Sequence, residues 1–460
     1  MLCHCSDLCY RQTCFIEKAK TVNYQQTIDY LFSRLPMYSR IGAAAFRKDL
    51  TNTITLCDHL DNPQHKFKSI HVAGTNGKGS VSHMLAAILQ TAGYKTGLYT
   101  SPHLKDFRER IKIDGEEVDE NFVIDFTERI KPLIEEIEPS FFEITVAMAF
   151  DYFAKQQVDI AIIEVGLGGR FDSTNIITPE LSVITNIGWD HMNILGDSLE
   201  KIAFEKAGII KQNIPVVIGE TLPETKTVFE KIAAEKKSTV YYAEQKRNVM
   251  GWEWQKPARR PGGHILIVEI GENGKPDHKK YHLDLPGIYQ SKNLLPVLEA
   301  CSVLKELKYE IDEKDIRTGL QKTKKLTGLH GRWEIIHEHP TIVLDVGHNE
   351  DGIKQIVQQI ELTTHHDLHI IIGLVKDKEV DKVLSLLPRS AEYYFTQAQI
   401  PRALAADVLK SKAESKNLKG EIFADVNTAT KAAMAKAHKD DLILVCGSVF
   451  LVGEVNISVH

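Results

Sequence analysis

Hydrophobic residues along the chain form two kinds of pattern, short continuous runs and longer stretches with helical spacing. The continuous runs predict strands at 70–73, 96–100, 158–165, 181–186 and 215–219. The helical spacing predicts helices at 24–35, 46–60, 81–91, 120–136 and 144–155. A run that is apolar at nearly every position, such as 159–164, is typical of a strand covered on both faces. The first half of the chain therefore predicts a largely parallel sheet flanked by helices.

A second alternation of strands and helices begins near residue 330. Its strands are predicted at 341–345, 368–373, 392–396, 421–423 and 441–446. Between the two patterns, 240–285 is less regular and is expected to add short antiparallel strands. Within it, 252–275 is polar and rich in Gly and Pro, which predicts a loop. The expected organisation is a leader at 1–22, a large α/β domain at 23–328 and a smaller α/β domain at 329–460.

A glycine-rich turn joins the first predicted strand to a helix. It contains Gly74, Thr75, Asn76, Gly77, Lys78, Gly79 and Ser80. Backbone N–H groups converge in such a turn at a helix N-terminus, which suits a polyphosphate. Lys78 can neutralise phosphate charge, and the hydroxyl of Thr75 or Ser80 can meet Mg²⁺. The strict P-loop pattern has glycine at 72 and Ser or Thr at 79, where this chain has Val72 and Gly79, so the motif is a variant.

Polar side chains follow two further strands of the same predicted sheet. In open α/β sheets, ligands bind beyond the carboxyl ends of the strands. Glu164 ends an apolar run, and its carboxylate there can hold Mg²⁺ beside the phosphate loop; the alternative is an acid that faces solvent. His191 follows the strand 181–186 and is either a metal ligand or an exposed loop histidine.

A lysine lies on the apolar stripe of a predicted helix. Lys206 follows Ile202 and Ala203 at spacings of four and three residues, and 197–200 has the pattern of a capping box. Gly208 is expected to end the helix. Burial favours the neutral amine of a lysine, which can react with CO₂ to give a carbamate suited to Mg²⁺. The alternative is a lysine that reaches the rim of its helix.

The second half offers three candidates beside its first strands. Asp345 and His348 follow an apolar strand and precede a helical pattern, where a helix-capping loop is the plainer interpretation. Arg332 lies at the junction of the two patterns. Its guanidinium can reach nucleotide phosphates across a cleft, or form a structural ion pair.

Composition excludes some classes of function. Of 460 residues, 43% are hydrophobic and 26% charged, as in ordinary globular proteins, and the net charge is −6. Without a long basic run or a long apolar run, neither a nucleic-acid partner nor a membrane span is expected. Four of seven cysteines lie at positions 3, 5, 9 and 14, in a spacing that fits no common zinc finger. We expect an unstructured leader, or residues upstream of the true start, and a protein of the reducing cytoplasm.

Taken in order, these segments resemble folylpolyglutamate synthase/dihydrofolate synthase, a member of the Mur ligase superfamily. The resemblance spans roughly 24–455. The matching stretches are 73–80, 100–104, 109–111, 142–143, 164–170, 190–191, 205–209, 331–332, 345–349 and 447–454. The resemblance implies an N-terminal P-loop-type ATPase domain with a mainly parallel sheet, a smaller C-terminal Rossmann-like glutamate-ligase domain, and catalysis in the cleft between them.

The resemblance also implies roles for individual residues. ATP would bind to the turn 74–80, with Asn293 at the adenine and with Arg332 and Asp345 at other parts of the nucleotide. Two Mg²⁺ ions would be held, the first by Ser80 and Glu164. The second would be held by Ser101, Glu164 and His191, with Lys206 as a carbamylated ligand. His348 would lie beside the glutamate site, where it is a candidate base; Lys78 and Lys206 complete the expected catalytic set.

The implied reaction is the ATP-dependent addition of L-glutamate to dihydropteroate, to reduced folate polyglutamates or to both, through an acyl phosphate, by a monomeric enzyme. One alternative is a UDP-muramoyl amino-acid ligase of peptidoglycan synthesis. The Gly-Lys-Gly-Ser end of the turn and Thr-Ser-Pro-His at 100–103 favour folate. A second alternative is a nucleotide-gated regulatory module without ligase chemistry, against which the retention of Glu164, His191 and Lys206 argues.

Overall fold

The computed structural model describes residues 22–37, 40, 42, 48–256, 264–376 and 379–456. All but the last residue of the predicted leader, and the four N-terminal cysteines with it, lie outside the described residues. In chain order the strands are β1 Lys68–Ala73, β2 Thr96–Tyr99, β3 Ile111–Ile113, β4 Glu116–Glu117, β5 Ile160–Glu164, β6 Leu181–Ile184, β7 Val216–Ile218, β8 Val240–Tyr242, β9 Arg247–Gln255, β10 Ile265–Glu272, β11 His278–Leu283, β12 Glu334–Glu338, β13 Thr341–Leu344, β14 Leu368–Ile372, β15 Glu392–Phe395, β16 Gly420–Ile422 and β17 Leu442–Cys446.

Helices connect most of these strands. They are α1 Tyr24–Arg34, α2 Thr51–His59, α3 Lys78–Thr91, α4 Glu120–Ile137, α5 Phe141–Lys155, α6 Met192–Leu195, α7 Leu199–Lys206, α8 Pro223–Glu235, α9 Ala243–Lys246, α10 Gln290–Glu306, α11 Glu313–Gln321, α12 Thr323–Thr327, α13 Glu350–Leu362, α14 Val380–Leu386, α15 Ala406–Glu414, α16 Val426–Lys436 and α17 Val449–Gly453. None of these described helices combines the length and the apolar content that crossing a bilayer requires.

The larger sheet has eight strands in the order β4-β3-β2-β5-β1-β6-β7-β8. β3 and β4 run antiparallel to their neighbours and the other strands are parallel. Every residue of β5 is buried, because helices cover both faces of the sheet. The predicted α/β class with a mainly parallel sheet is confirmed. The carboxyl ends of β5, β1 and β6 meet at one edge, beside the N-terminus of α3.

A six-stranded sheet follows, in the order β12-β13-β17-β14-β15-β16. Only its edge strand β12 is antiparallel to its neighbour. All five predicted strands of this half are present, each within two residues of its expected bounds, whereas β12 was missed. Since the sheet membership of the strands changes between β11 and β12, the change falls in the region where we expect the domain boundary; the bounds 23–328 and 329–460 stay predictions.

The predicted loop at 252–275 is wrong. β9, β10 and β11 form an antiparallel three-stranded sheet, and only 257–263 of the interval lies outside the described residues. In β10, Leu266, Val268 and Ile270 are buried in the same cluster as α3 and α10, and most of the strand is buried. The Gly and Pro residues that suggested a loop are concentrated between β9 and β10 rather than within them.

The helix that carries the candidate lysine differs from expectation at both ends. Its N-cap is Ser198, whose side chain accepts the N–H of Lys201, so the predicted capping box that begins at Asp197 is wrong. The α-helix ends at Lys206 and tightens into a 3₁₀ turn at Ala207–Ile209. Gly208 lies inside that turn and not at an α-helical C-cap.

Candidate functional site

The phosphate loop is a tight turn in which two glycines are required. Gly74 has φ 152°, and a Cβ there would lie 1.8 Å from the Thr185 hydroxyl. Gly77 has φ 81°, and a Cβ there would lie 2.2 Å from the side-chain oxygen of Asn293. These distances are far below contact, and both φ values belong to glycine. The loop therefore approaches its neighbours as closely as backbone alone permits.

Two residues in the loop anchor it to the segment after β6. The hydroxyl of Thr75 donates to the carbonyl of Gly188 at 3.2 Å and accepts the Gly188 N–H at 2.9 Å. The N–H of Asn76 donates to the side-chain oxygen of Asn186 at 2.9 Å. Since the Thr75 hydroxyl is engaged in both senses, Ser80 is the better placed of the two predicted hydroxyls.

Lys78 lies over the loop that it was expected to serve. Its Nζ donates to the carbonyls of Gly74 and Thr75, each at 3.1 Å. The residue begins α3, so its charge lies at the end of the helix where the dipole is positive. The ammonium and the loop N–H groups together make a local environment for an anion.

Ser80 and Asn293 are joined through a residue that the sequence analysis missed. Gln290 donates from Nε2 to the Ser80 hydroxyl at 3.1 Å and accepts from Asn293 Nδ2 at 2.9 Å. Gln290 is fully buried. It precedes Asn293 by three residues on α10, so the spacing alone shows that both side chains lie on one helix face.

Glu164 is buried at the carboxyl end of β5, with only 5% of its surface exposed. The alternative of a solvent-facing acid is therefore wrong. Its Oε2 accepts the N–H of Ser101 at 3.2 Å. Burial raises the pKa of Glu164, while Lys78, the Ser101 N–H and Arg332 act in the opposite direction. A buried carboxylate of this kind is stabilised in its ionised form by a cation, and Mg²⁺ prefers such oxygen ligands.

Lys206 is buried and points toward the phosphate loop. It is 4% exposed, and its Nζ donates to the carbonyl of Gly74 at 2.8 Å. The alternative of a lysine that reaches the solvent rim is therefore wrong. The preceding residue, Glu205, faces away and forms an ion pair with Arg170 at 2.7 Å. Helical spacing thus predicted correctly which of two adjacent side chains enters the site.

His191 and Asp190 lie between the two sheets. His191 has φ 51°, and its Nε2 lies 3.8 Å from one carboxylate oxygen of Asp190. The other oxygen of Asp190 lies 3.6 Å from Nε2 of His348. Asp190 therefore approaches a histidine from each half of the chain, a role that the sequence analysis did not assign to it.

His348 has a defined tautomer at one nitrogen. Its Nδ1 lies 2.9 Å from the carbonyl of Val346, and because a carbonyl can only accept, Nδ1 carries the proton. The other ring nitrogen, Nε2, lies 3.6 Å from Oδ2 of Asp190. His348 is thus oriented with Nε2 toward Asp190.

Asp345 is 3% exposed and has three donors around its carboxylate. Oδ2 accepts from the Tyr289 hydroxyl at 2.6 Å and from the Trp333 N–H at 2.9 Å. Oδ1 accepts the Gly347 N–H at 2.8 Å. Burial raises the pKa of Asp345, and these donors oppose that shift. The carboxylate therefore organises the loop after β13 and the start of β12.

Arg332 reaches the phosphate loop from the second half of the chain. A Cβ built on Gly79 would lie 3.3 Å from a guanidinium nitrogen of Arg332 and 3.8 Å from an oxygen of Glu164. The interpretation of a guanidinium that crosses to the loop is thus supported. The loop after β13 of the six-stranded sheet lies against this edge of the larger sheet, through the contacts of Asn349 with Asn76 and of His348 with Asp190.

A separate group of possible metal ligands lies elsewhere. Among the described residues, ligand atoms of His366, Asp367 and Asp441 all lie within 4.8 Å of one another. Asp441 immediately precedes β17, so it lies at the opposite edge of its sheet from the loop after β13. Its oxygens accept the N–H groups of Asp367 and His438. Asp441 therefore stabilises a turn at the opposite end of the six-stranded sheet from the candidate site.

Comparison with known proteins places the two halves in two matched families. The model described as "Mur ligase middle domain" matches residues 72–301, and that described as "Mur ligase, glutamate ligase domain" matches residues 331–449. The chain is 33% identical over 442 residues to a dihydrofolate synthase/folylpolyglutamate synthase of Bacillus subtilis, covering 94% of this chain and 98% of the relative. It is 32% identical to the Escherichia coli protein of the same name, covering 84% and 85%.

Solved structures agree with these relatives. A Mycobacterium tuberculosis folylpolyglutamate synthase complexed with ADP has a TM-score of 0.81 at 29% identity, covering 94% of this chain and 96% of that one. E. coli FolC in complex with DHPP and ADP has a TM-score of 0.77 at 29% identity, with the same coverage. A Yersinia pestis bifunctional enzyme complexed with AMPPNP and Mn ion has a TM-score of 0.76 at 27% identity, covering 94% and 97%. The chain belongs to the folylpolyglutamate synthase/dihydrofolate synthase family of Mur-type ligases.

Proposed function

We propose that this protein is an ATP-dependent ligase that forms an amide between L-glutamate and dihydropteroate, a reduced folate polyglutamate, or both. One observation carries the proposal. The phosphate loop, the buried carboxylate of Glu164 and the buried amine of Lys206 converge where Arg332 enters from the other half of the chain. Such a convergence is suited to neutralising a phosphoryl group during its transfer.

The residues present fit ATP and divalent metal. The loop has the N–H geometry and the lysine that a polyphosphate needs, and Glu164 is a buried carboxylate with a raised pKa that lacks a matched ion pair among the described residues. Ser80 and Glu164 would hold one Mg²⁺; Ser101, Glu164 and His191 would complete a second site. When bound, the two ions supply positive charge at the transferred phosphoryl group.

Lys206 would serve the metal site as a carbamate. Its unmodified Nζ donates to the carbonyl of Gly74. A carbamate has acceptor oxygens at that end, so carbamylation would replace this contact and turn the side chain toward a cation. Its near-complete burial supports the proposal, since a side chain shielded from water favours the neutral amine that reacts with CO₂.

The substrate's carboxylate has no adequate leaving group until it is phosphorylated. In the proposed reaction it takes the γ-phosphoryl group of ATP, and ADP departs. The amine of glutamate then attacks the acyl carbon, loses a proton and expels phosphate. Lys78 and Arg332 stabilise negative charge at the phosphoryl oxygens, and Nε2 of His348 is placed to accept the proton of the amine.

The acceptor acid would enter beside Ser101. A cavity of about 420 Å³ opens there, lined by His103 and Leu104 from one side and by Ile400 and Phe450 from the other. It spans both halves of the chain. Burial and the neighbouring Arg110 lower the pKa of His103 to about 3, so its ring is neutral at physiological pH. Lys105 and Glu454 also line the cavity. The rings of His103 and Phe450 offer contact surface for a flat heterocycle, and Lys105 offers a positive charge for its acid group.

A substrate panel tests the proposal. Release of phosphate is measured with dihydropteroate, tetrahydrofolate or a UDP-muramoyl substrate, each with and without glutamate, and the mass of the product is determined. We expect glutamate-dependent release and a gain of one glutamate with the folate substrates. Release only with the UDP-muramoyl substrate would support the peptidoglycan alternative, and no glutamate-dependent release would support a regulatory module.

An isotope experiment tests the chemical route. With labelled oxygen in the substrate's carboxylate, we expect the label in the released phosphate, because that oxygen leaves with the phosphoryl group. Its absence from phosphate would exclude an acyl phosphate. We further propose that the protein acts as a monomer in the cytoplasm, which sedimentation and cell fractionation would check.

A further inference from the structure

The side chain of Asn349 both caps a helix and contacts the phosphate loop. It is the N-cap of α13, and its Oδ1 accepts the N–H of Gly352 at 2.9 Å. Its amide also forms a reciprocal pair with the amide of Asn76 in the phosphate loop. Asn349 Nδ2 donates to Asn76 Oδ1 at 3.0 Å, and Asn76 Nδ2 donates to Asn349 Oδ1 at 3.3 Å. The residues are 273 positions apart in the chain, so this contact exists only through the docking of the two halves.

The remaining hydrogen of this amide is also used. Asn349 Nδ2 donates to Oδ2 of Asp190 at 3.1 Å, the oxygen that lies 3.6 Å from Nε2 of His348. A carboxamide offers two donors and about two acceptor positions, and all four are engaged here. Asn349 is 5% exposed. Buried polar groups that are fully paired hold one geometry strongly, since any displacement leaves a partner unsatisfied.

The partner in the phosphate loop is held just as firmly. The N–H of Asn76 donates to Asn186, and its carbonyl accepts from the Thr185 hydroxyl at 2.6 Å. Beside this pair, Gly188 passes so close to α13 that a Cβ would lie 2.1 Å from Oδ2 of Asp351. A movement of the first turn of α13 would therefore be transmitted to the loop rather than absorbed by slack side chains.

We propose that Asn349 is a positioning residue that fixes the phosphate loop, Asp190 and His348 in register when the two halves are closed. The inference rests on the proposed ligase function. In the closed enzyme, the Asn76–Asn349 pair sets the distance between the phosphoryl-transfer groups of one half and the amine-accepting face of the other. Loss of the pair lowers turnover of bound substrates more than it lowers nucleotide binding.

Serine variants test the pair without removing the cap. Asn349→Ser keeps an oxygen that can accept the Gly352 N–H, because serine caps helices about as well as asparagine. We expect kcat at saturating substrates to fall roughly tenfold, with the KM for ATP within error of the wild type. The melting temperature should fall only slightly, because Asn76 and Asp190 each lose a partner while the helix cap is kept. The kcat of Asn76→Ser should fall by a similar factor, and the kcat of the double variant should be no lower than that of either single variant. The matched control is Asn23→Ser, the same change at the N-cap of α1, where we expect wild-type kinetics.

Hydrogen exchange of the ligand-free protein gives a readout that does not depend on activity. Peptides that contain residues 74–80 and 186–191 should exchange faster in Asn349→Ser than in the wild type. In Asn23→Ser their exchange should equal that of the wild type. Full turnover in Asn349→Ser, a double variant whose losses multiply, or unchanged exchange would overturn the inference. A wild-type protein without glutamate-dependent activity would instead overturn the proposed function, and the exchange experiment would still report on the pair.

Discussion

Glu164 and Asp345 lie at the carboxyl ends of strands in the two sheets, but their carboxylates have different surroundings. Each follows a run of apolar residues at the carboxyl end of an interior strand, and each is 5% or less exposed. Asp345 accepts three hydrogen bonds from protein donors, whereas the Ser101 N–H is the one donor described for Glu164. The pKa of both carboxyls is raised by burial. Position and burial thus identify a carboxylate as a candidate site residue. The number of its acceptor positions that no protein donor occupies indicates whether that carboxylate can bind a ligand.

The largest effect is expected from Glu164→Gln. The variant should lose activity by roughly a thousandfold, because one proposed metal ligand and its charge are gone from the site of phosphoryl transfer. Stability of the ligand-free protein should not fall, since removing a buried charge relieves its desolvation. Steady-state phosphate release and thermal melting measure the two quantities. If the variant kept its activity, or melted well below the wild type, Glu164 would have a structural role like that of Asp345.

Lys206→Ala should reduce activity by about a hundredfold, because the variant cannot form a carbamate. Short-chain carboxylates such as acetate should restore part of the activity by supplying the missing oxygens. The control is Lys201→Ala on the exposed face of α7, which should be unaffected and should not respond to acetate. Loss without any rescue in Lys206→Ala would count against a carboxylate-like role.

A third carboxyl group, that of Glu334, has a pKa shifted downward, whereas the pKa values of Glu164 and Asp345 are raised. Burial would raise its pKa, but His330 and Lys324 prevail and lower it to about 2. Its stabilisation is therefore complete above the unfolded value near 4.5, and is lost as the pH falls from about 5 toward 2. Glu334→Gln should remove roughly 2–3 kcal/mol of stability at neutral pH and flatten this dependence. Urea unfolding at several pH values checks it, with the exposed Glu116→Gln as control; an unchanged acid dependence would contradict the prediction.

Asp345→Asn should have the smallest effect on chemistry and a clear effect on folding. An amide presents an NH₂ group where the carboxylate accepts, so at least one of its three donors loses its partner. We expect a loss of about 1–3 kcal/mol, visible in urea unfolding, and a loss of activity far below that of Glu164→Gln. If the stability of Asp345→Asn equalled that of the wild type, the loop-organising role would be excluded.

Much of this arrangement can be predicted from the sequence because it depends on local periodicity. The apolar run before Glu164 predicts a covered strand, and the spacing of Ile202 and Ala203 predicts that Lys206 is buried. The Asn76–Asn349 pair and the position of Asp190 cannot be predicted in this way, since they depend on how two distant segments dock. The antiparallel strands expected within 240–285 are present, but β10 and the end of β9 were assigned to a loop because the Gly and Pro residues between them lowered the strand signal of the interval.

The absence of a side chain at position 79 has a consequence for how the nucleotide pocket is assembled. Where the strict P-loop pattern has a hydroxyl, this chain has Gly79, and a guanidinium from beyond residue 330 lies 3.3 Å from the point where a Cβ would be. The proposed nucleotide pocket is thus formed by both halves of the chain, with Arg332 of the second half supplying one of its positive charges. A fragment that ends before Arg332 would retain the cradle for the phosphates but be one positive charge short.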